Sequence, residues 1–350
     1  MIGGNTDTNP RAMPPGGLPC AGRVDVPAAS RPQLLVVIDT EEEFDWSAPF
    51  SRANTSVSAM AHIGRAQSIF DKFGIKPTYV VDYPVAASAA GSERLREFWH
   101  DGRCSIGAHL HPWVTPPLTE DVNGRNSFAS NLPEALQLEK IRELSKTIEN
   151  RFDARPTIFK AGRYGLGPST VRVLDDLGYQ VDMSVTPRLD FKDIGGPTFT
   201  DFDTSPFFLT DGMLEIPCTV DFAGWLRRAG TPLHRMASTR LLQKVRALGV
   251  LRRTGMLNRI MLSPEGNTLD ELCELATVLT AAGCRTFTLT FHSPSVVPGH
   301  TPYVRTTSDL DGFLKDIERF CDFFLSDLGG IPTTPSAFRT QALAARSLPS

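Results

Sequence analysis

The sequence predicts an α/β protein built on a parallel sheet or a barrel, and three observations carry that expectation. Short aliphatic or β-branched runs alternate with longer amphipathic ones. Glycines stand where the longer runs should end. The residues with most chemistry to offer cluster directly after the short runs. In folds of this class the chemistry gathers at the carboxyl ends of the strands, so the third observation supports the first.

Residues 1–31 are rich in Gly, Pro, Asn and Ala, have no hydrophobic period, and read as a tail. Strands are then expected near 34–38, 78–81, 105–108, 157–159, 180–185, 214–216 and 286–291. Helices fill the gaps over 58–73, 94–101, 133–151, 168–177, 268–282 and 310–325. Gly74 and Gly178 follow two of these helices as C′ glycines do, and each leads within a few residues to the next strand. Ser169 after Pro168, Asn267 and Ser308 supply capping or early-turn residues at helix starts. Residues 32–330 are expected to form one domain and 331–350 a second tail.

At 350 residues the chain is long enough to bury a large core. A net charge of −3 and a pI near 6.2 argue against nucleic acid or an anionic membrane surface as the main partner. The cysteines at 20, 104, 218, 273, 284 and 321 form no CxxC pair, so free, mostly buried thiols are expected rather than a zinc ribbon or a disulfide framework. The first residues lack the basic start and apolar core of a secretory signal, and no later run is long enough to span a bilayer. The expectation is a soluble cytoplasmic protein. No glycine-rich phosphate loop stands in the right context, and the oligomeric state leaves no signal.

One stretch departs from the average. Residues 222–264 contain no acidic residue while Arg227, Arg228, Arg235, Arg240, Lys244, Arg246, Arg252, Arg253 and Arg259 accumulate. It reads either as a solvated helical insertion or as a basic cover that attracts an anionic substrate.

The chemistry begins with Gly107-Ala108-His109-Leu110-His111-Pro112-Trp113. In an extended chain residues i and i+2 point the same way, so both imidazoles can reach one ion. The run Leu34-Leu35-Val36-Val37-Ile38 ends in Asp39-Thr40-Glu41-Glu42-Glu43, which gives carboxylates the same spacing, and Thr286 to Phe291 runs into His292. Two neutral imidazoles and one carboxylate with an open position suit Zn²⁺ and its divalent neighbours Co²⁺, Ni²⁺ and Mn²⁺. His109, His111 and one of Asp39 or Glu41 supply them. The other carboxylate is left as a base, and His292 is placed to protonate a departing amine or alkoxide.

These residues resemble the polysaccharide deacetylases of the NodB-homology group, carbohydrate esterase family four, from about Leu34 to Leu325. The resemblance implies a distorted (β/α) barrel that removes acetyl groups from N- or O-acetylated sugars, with metal-bound water as attacking group. Ile38-Asp39-Thr40-Glu41 is similar to the first family motif and implies Asp39 as base and Glu41 as metal ligand. The second motif, usually His-(Ser/Thr)-x-x-His, is shortened here to His109-Leu110-His111. The third, usually Arg-x-Pro-Tyr, corresponds to Lys160-Ala161-Gly162-Arg163-Tyr164, so the cation that pairs with the base is Lys160 or Arg163, with Tyr164 lining the site. Asp182 matches a cleft-lining aspartate of some subfamilies, and Leu289-Thr290-Phe291-His292 matches the fifth motif, which implies His292 as the acid. The stretch Pro298 to Tyr303 and the His111-Pro112-Trp113 run resemble a cytoplasmic, WalW-like branch tied to surface-polysaccharide assembly.

Other residues carry plainer readings. His62, His100, His234 and His300 are expected to be structural. Glu42, Glu43 and Asp45 read as a solvated loop, and Cys104 as packing. Trp46 and Trp113 follow the ligand segments and are either core or platforms for a sugar ring. The expected function is a metal-dependent carbohydrate deacetylase acting on an acetylated sugar, oligosaccharide or polysaccharide precursor. The alternatives are hydrolysis of a non-sugar amide or cyclic amide on the same barrel, and a degenerate glycan-binding barrel without turnover.

Overall fold

The computed structural model describes residues 17–24, 26–27, 29–237 and 247–347. Its strands, in chain order, are β1 (Gly22–Arg23), β2 (Gln33–Thr40), β3 (Thr78–Val81), β4 (Ser105–Leu110), β5 (Ile158–Ala161), β6 (Val181–Asp182), β7 (Phe207–Phe208), β8 (Leu214–Glu215), β9 (Val220–Ala223), β10 (Asn258–Met261), β11 (Thr286–His292) and β12 (Ile331–Pro332). The main sheet runs parallel in the order β11-β2-β3-β4-β5-β6-β8, and β7 and β1 extend it antiparallel. Among the described residues it does not close: β11 and β1 are its ends, while β12 pairs with the foot of β2 and β9 with β10 form separate contacts. The result is the parallel α/β architecture that the alternation predicts, in the form of an open, distorted barrel.

The two faces of the sheet follow from strand parity. In β2, Leu34, Val36 and Ile38 join the large core under the helices, whereas Leu35 and Val37 join a second, inner cluster with Val80, Ile158 and Val181. In β11, Phe287, Leu289 and Phe291 go to the helix side and leave Thr286, Thr288, Thr290 and His292 on the other. Each fully buried Leu, Ile or Phe contributes roughly 1.5–3 kcal/mol relative to exposure. A one-residue slip would exchange the faces, so the apolar pattern also fixes which polar residues turn inward.

Helices at Gly64–Lys72, Ala89–His100, Glu134–Phe152, Pro168–Asp176, Leu269–Ala281 and Thr307–Asp322 cover the outer face. Gly74 and Gly178 take φ of 64° and 76°, the left-handed conformation expected after a helix. Capping boxes at Thr268 and Thr306 start two helices within two residues of Asn267 and Ser308.

Both chain ends depart from the expected tails. Residues 1–16 lie outside the described residues, but Leu18 is buried and β1 pairs with β7. At the other end Pro335–Arg346 is a helix whose Phe338 and Ala342 pack into the inner cluster. This helix covers inner-face residues that barrel closure would otherwise enclose. Its period was readable as Phe338, Ala342 and Leu343, but the short, alanine-rich apolar set resembles a weak tail. Within the basic stretch, Arg240, Lys244 and Arg246 lie outside the described residues, and helices Gly230–Ala237 and Ala247–Arg253 flank them. The paired strands β9 and β10 frame this segment, Arg252 pairs with Glu271 at 2.7 Å, and Arg259 donates to the Arg188 carbonyl. The stretch is therefore part strand, and Arg252 is held by an acid outside it. All six cysteines are free. No helix among the described residues is long and apolar enough to cross a membrane.

Candidate active site

Strand register brings the site together. His292 is level with Asp39 across the β11–β2 pair, Asp39 with Val80 and Val80 with Gly107, and His109 is level with Lys160 across β4 and β5. Each polar residue ends an inward-facing series: Leu35, Val37, Asp39 in β2, Ile158, Lys160 in β5, and Thr288, Thr290, His292 in β11. Thus Asp39, Glu41, His109, His111, Lys160 and His292 converge from four strand ends.

Glu41 Oε2 lies 3.4 Å from His109 Nε2 and 3.4 Å from His111 Nε2, and all three residues are buried. These donor atoms fall within 4.8 Å of one another, while Glu41 Oε1 is buried with no hydrogen-bond partner. A buried carboxylate oxygen without a partner calls for a cation. The imidazoles are prepared for one: His109 Nδ1 donates to the Lys160 carbonyl at 3.0 Å and His111 Nδ1 meets Glu42 Oε2 at 2.7 Å, leaving each Nε2 lone pair turned inward. Burial lowers the His111 pKa and so favours the neutral ring that a metal needs. Donor set and protonation both fit a divalent ion.

Asp39 stands beside this set. Lys160 Nζ donates to both its oxygens at 2.6 and 2.8 Å and to Thr290 Oγ1 at 3.0 Å. Burial opposes the Asp39 charge, but Lys160 and then His109 and His292 outweigh it and hold the carboxyl below its usual range. His292 Nε2 is 3.8 Å from Asp39 Oδ2. Its Nδ1 is 2.7 Å from Glu265 Oε2, and its backbone N–H donates to Glu265 Oε1 at 3.1 Å. Burial opposes the His292 charge too, yet Glu265, Glu41 and Asp39 push the pKa up to about 10. The arrangement therefore favours an ionised carboxylate and a protonated imidazole side by side.

Four residues fall elsewhere than expected. Lys160, not Arg163, pairs with Asp39; Arg163 donates to Ser127 Oγ and the Gly124 carbonyl, with its guanidinium over Phe128 and Phe50. Its backbone φ of 54° turns it away from the strand axis. Asp182 does not line the cleft. It is level with Phe159, the opposite parity from inward Val181, and it is fully buried against Ser184, whose hydroxyl accepts from the Ala161 N–H. Trp113 is only 2% exposed and stacks on His111 at 4.2 Å, so it backs a ligand rather than receiving a sugar. Glu42 is no solvated loop residue: it is fully buried between His111 and Trp113 Nε1, and burial, with a smaller push from Glu41, raises its pKa to about 8.

Trp46 and Tyr164 do line the cleft with the ligands. Trp46 is 36% exposed and meets His292 edge-on at 5.0 Å; Tyr164 stacks on Phe191. Glu43 caps the Ala59 N–H and bonds Ser56 and Ser58, so it too is structural rather than free.

The sequence reading missed Glu265 and Asp82. Asp82 ends β3 as the N-cap of the next short helix, and its Oδ2 accepts from the Glu42 N–H at 2.7 Å. Glu265 is the first acidic residue after the acid-free stretch and follows β10 closely. The strand-end rule that selects Asp39 would have selected Asp82, whereas Glu265 stands beyond β10, a strand the sequence analysis did not expect. Gly162 also has a reason: a Cβ there would overlap His111 and the Leu110 carbonyl.

Among solved structures, a presumed polysaccharide deacetylase from Mycobacterium smegmatis superposes with a TM-score of 0.53 at 14% identity, covering 95% of this chain and 96% of its own. The chain has the polysaccharide-deacetylase fold. Looser superpositions, at TM-scores of 0.40 and 0.43, reach the peptidoglycan deacetylase PdaC from Bacillus subtilis and a family-four carbohydrate esterase pseudoenzyme from Bacillus anthracis. Their identities are 11% and 10%; the chain is covered to 92% and 89%, and they to 95% and 66%. Neither a scan of family models nor a search of curated proteins gives a match. Within the deacetylase fold, the shortened His109-Leu110-His111 run keeps both rings on one face of the β4 end, equidistant from Glu41.

Proposed function

We propose that this chain is a metal-dependent hydrolase that removes an acetyl group from an N- or O-acetylated compound. The observation that carries it is the buried Glu41, His109 and His111 donor set with Asp39 and His292 in the same cleft. Glu41, His109 and His111 would hold the ion, which supplies Lewis acidity toward the acyl carbonyl and toward water. Zn²⁺ is the first candidate for this donor set, with Co²⁺, Ni²⁺ and Mn²⁺ behind it.

The chain's own residues divide the proton traffic. Asp39, kept ionised by Lys160, takes a proton from the attacking water as its oxygen bonds to the acyl carbon. Protonated His292 gives its proton to the departing nitrogen or oxygen as the bond to the acyl carbon breaks. Acetate and the free amine or alcohol are the products. Lys160 and Glu265 act as positioning residues. They fix the charge states of base and acid before substrate arrives, as preorganised catalysis requires.

The test is acetate release. Purified protein supplied with Zn²⁺ should release acetate from a panel of acetylated sugars, esters and amides, and should lose that activity on chelation and regain it on readdition. A protein that binds no stoichiometric divalent metal, or whose His109→Ala variant binds as much, would overturn the proposal.

A further inference from the structure

The cleft around this site has a volume of about 370 Å³. Two aromatic groups line it. Phe44 stacks on Trp46, which meets Tyr303 edge-on at 5.6 Å; Tyr164 stacks on Phe191, which contacts Phe128. Some polar groups in the cleft are committed, while Glu41 Oε1, Trp46 Nε1 and the Tyr303 hydroxyl have no hydrogen-bond partner among the described residues. Asp39 is held by Lys160, Glu265 by His292 and Ser295, and Asp45 by Ser47. The free groups are few beside the aromatic walls, and a sugar ring brings more hydroxyls than they can pair, at about 1–3 kcal/mol for each group left unsatisfied.

Arg163 adds free cationic N–H donors to these. It lines the same cleft, its guanidinium lies 4.2 Å from the Phe128 ring centre and 4.9 Å from that of Phe50, and only Nη1 has hydrogen-bond partners, both neutral. No carboxylate lies within ion-pair distance of it among the described residues. A half-buried guanidinium pinned between two rings, with free N–H groups and no counter-ion, is built to receive an anion.

We propose that the substrate is a small acylated molecule with a flat apolar or aromatic body and an anionic group that Arg163 binds, rather than an extended glycan chain. This rests on the reading of the site as an acyl hydrolase and narrows its substrate. The aromatic groups remove the flat body from water, Arg163 neutralises the anion, and the acyl group is left to the end of the cleft where Glu41, Asp39 and His292 meet. Position in the cleft is then fixed at three chemically different points.

Calorimetric titration tests this without depending on turnover. The zinc-supplied protein should bind N-acetyl-L-phenylalanine at least ten-fold more tightly than N-acetyl-L-phenylalaninamide, which lacks the charge, and more tightly than a chitin tetramer. Arg163→Gln should abolish the preference for the anion, and Trp46→Ala should weaken both aromatic compounds alike. Tighter binding of the tetramer, no binding of either aromatic compound, or an anion preference that survives Arg163→Gln would each overturn the inference. Acetate measured in parallel separates the two claims. Release from the tetramer but not from the aromatic anion leaves the hydrolase and removes this substrate class. The predicted binding pattern without acetate release from any probe does the reverse.

Discussion

His111 and His292 make the same contact and end in opposite states. Each presents Nδ1 to a glutamate oxygen at 2.7 Å, Glu42 for one and Glu265 for the other. Yet His111 is lowered by burial, whereas His292 is pushed up to about 10 by Glu265, Glu41 and Asp39 against its own burial. The difference lies behind the glutamates. Glu42 is enclosed with Asp82 and Trp113, and its own pKa rises to about 8, so it offers His111 less negative charge. A histidine–glutamate contact therefore does not define a charge state: at His111 burial of the ring outweighs the neighbouring carboxylates, and at His292 the carboxylates outweigh burial.

The sharpest way to break that comparison is to remove each ring in turn. His111→Ala should lose both stoichiometric metal and all acetate release. His292→Ala should keep the metal, measured by emission spectroscopy, and lose about 10²–10⁴-fold in kcat as general acids do. If both variants lost metal, the two histidines would not differ in kind. Asp39→Asn should behave like His292→Ala, with a loss of about 10²–10⁴-fold and metal retained.

The orienting glutamates should separate more gently. Glu42→Gln should weaken metal affinity by about 10–100-fold, as loss of a ligand's supporting carboxylate does, and leave kcat at saturating metal nearly intact. Glu265→Gln should leave metal affinity unchanged and shift the pH profile. Glu265 raises the His292 pKa, so removing its charge lowers that pKa, and the alkaline limb of kcat/KM should move to lower pH. An unmoved limb would separate Glu265 from the acid's charge state. Phe338→Ala is the control: it should destabilise the fold by about 3–5 kcal/mol, read as a lower Tm, without changing either limb or the metal content at a permissive temperature.

How much of this the sequence made legible depended on range. Asp39 sits in phase with apolar Val37 and Leu35, Glu41 repeats its spacing, and His109, His111 and His292 end or directly follow short strand-like runs, so strand-end position and i, i+2 parity made these residues legible. Lys160 was readable by the same rule, although choosing it over Arg163 needed the positive φ at Arg163, which no neighbouring residue type demands. Asp182 looked equivalent but has the wrong parity in a strand of two residues, too short for periodicity to show. Glu42 was misjudged, and Trp113 stayed open between core and sugar platform, because burial of a loop is set by what packs on it from afar. The C-terminal helix was hidden for the same reason: its apolar face has no partner until the open sheet supplies one.

Gly162 carries a last consequence. The space its missing side chain leaves is filled by the His111 ring and the Leu110 carbonyl. A single methyl group there would press on one of the two imidazoles facing Glu41 and on the last carbonyl of β4. Position 162 is thus where one added methyl group, tens of residues away in sequence, would bear directly on the geometry of the His109, His111 and Glu41 cluster.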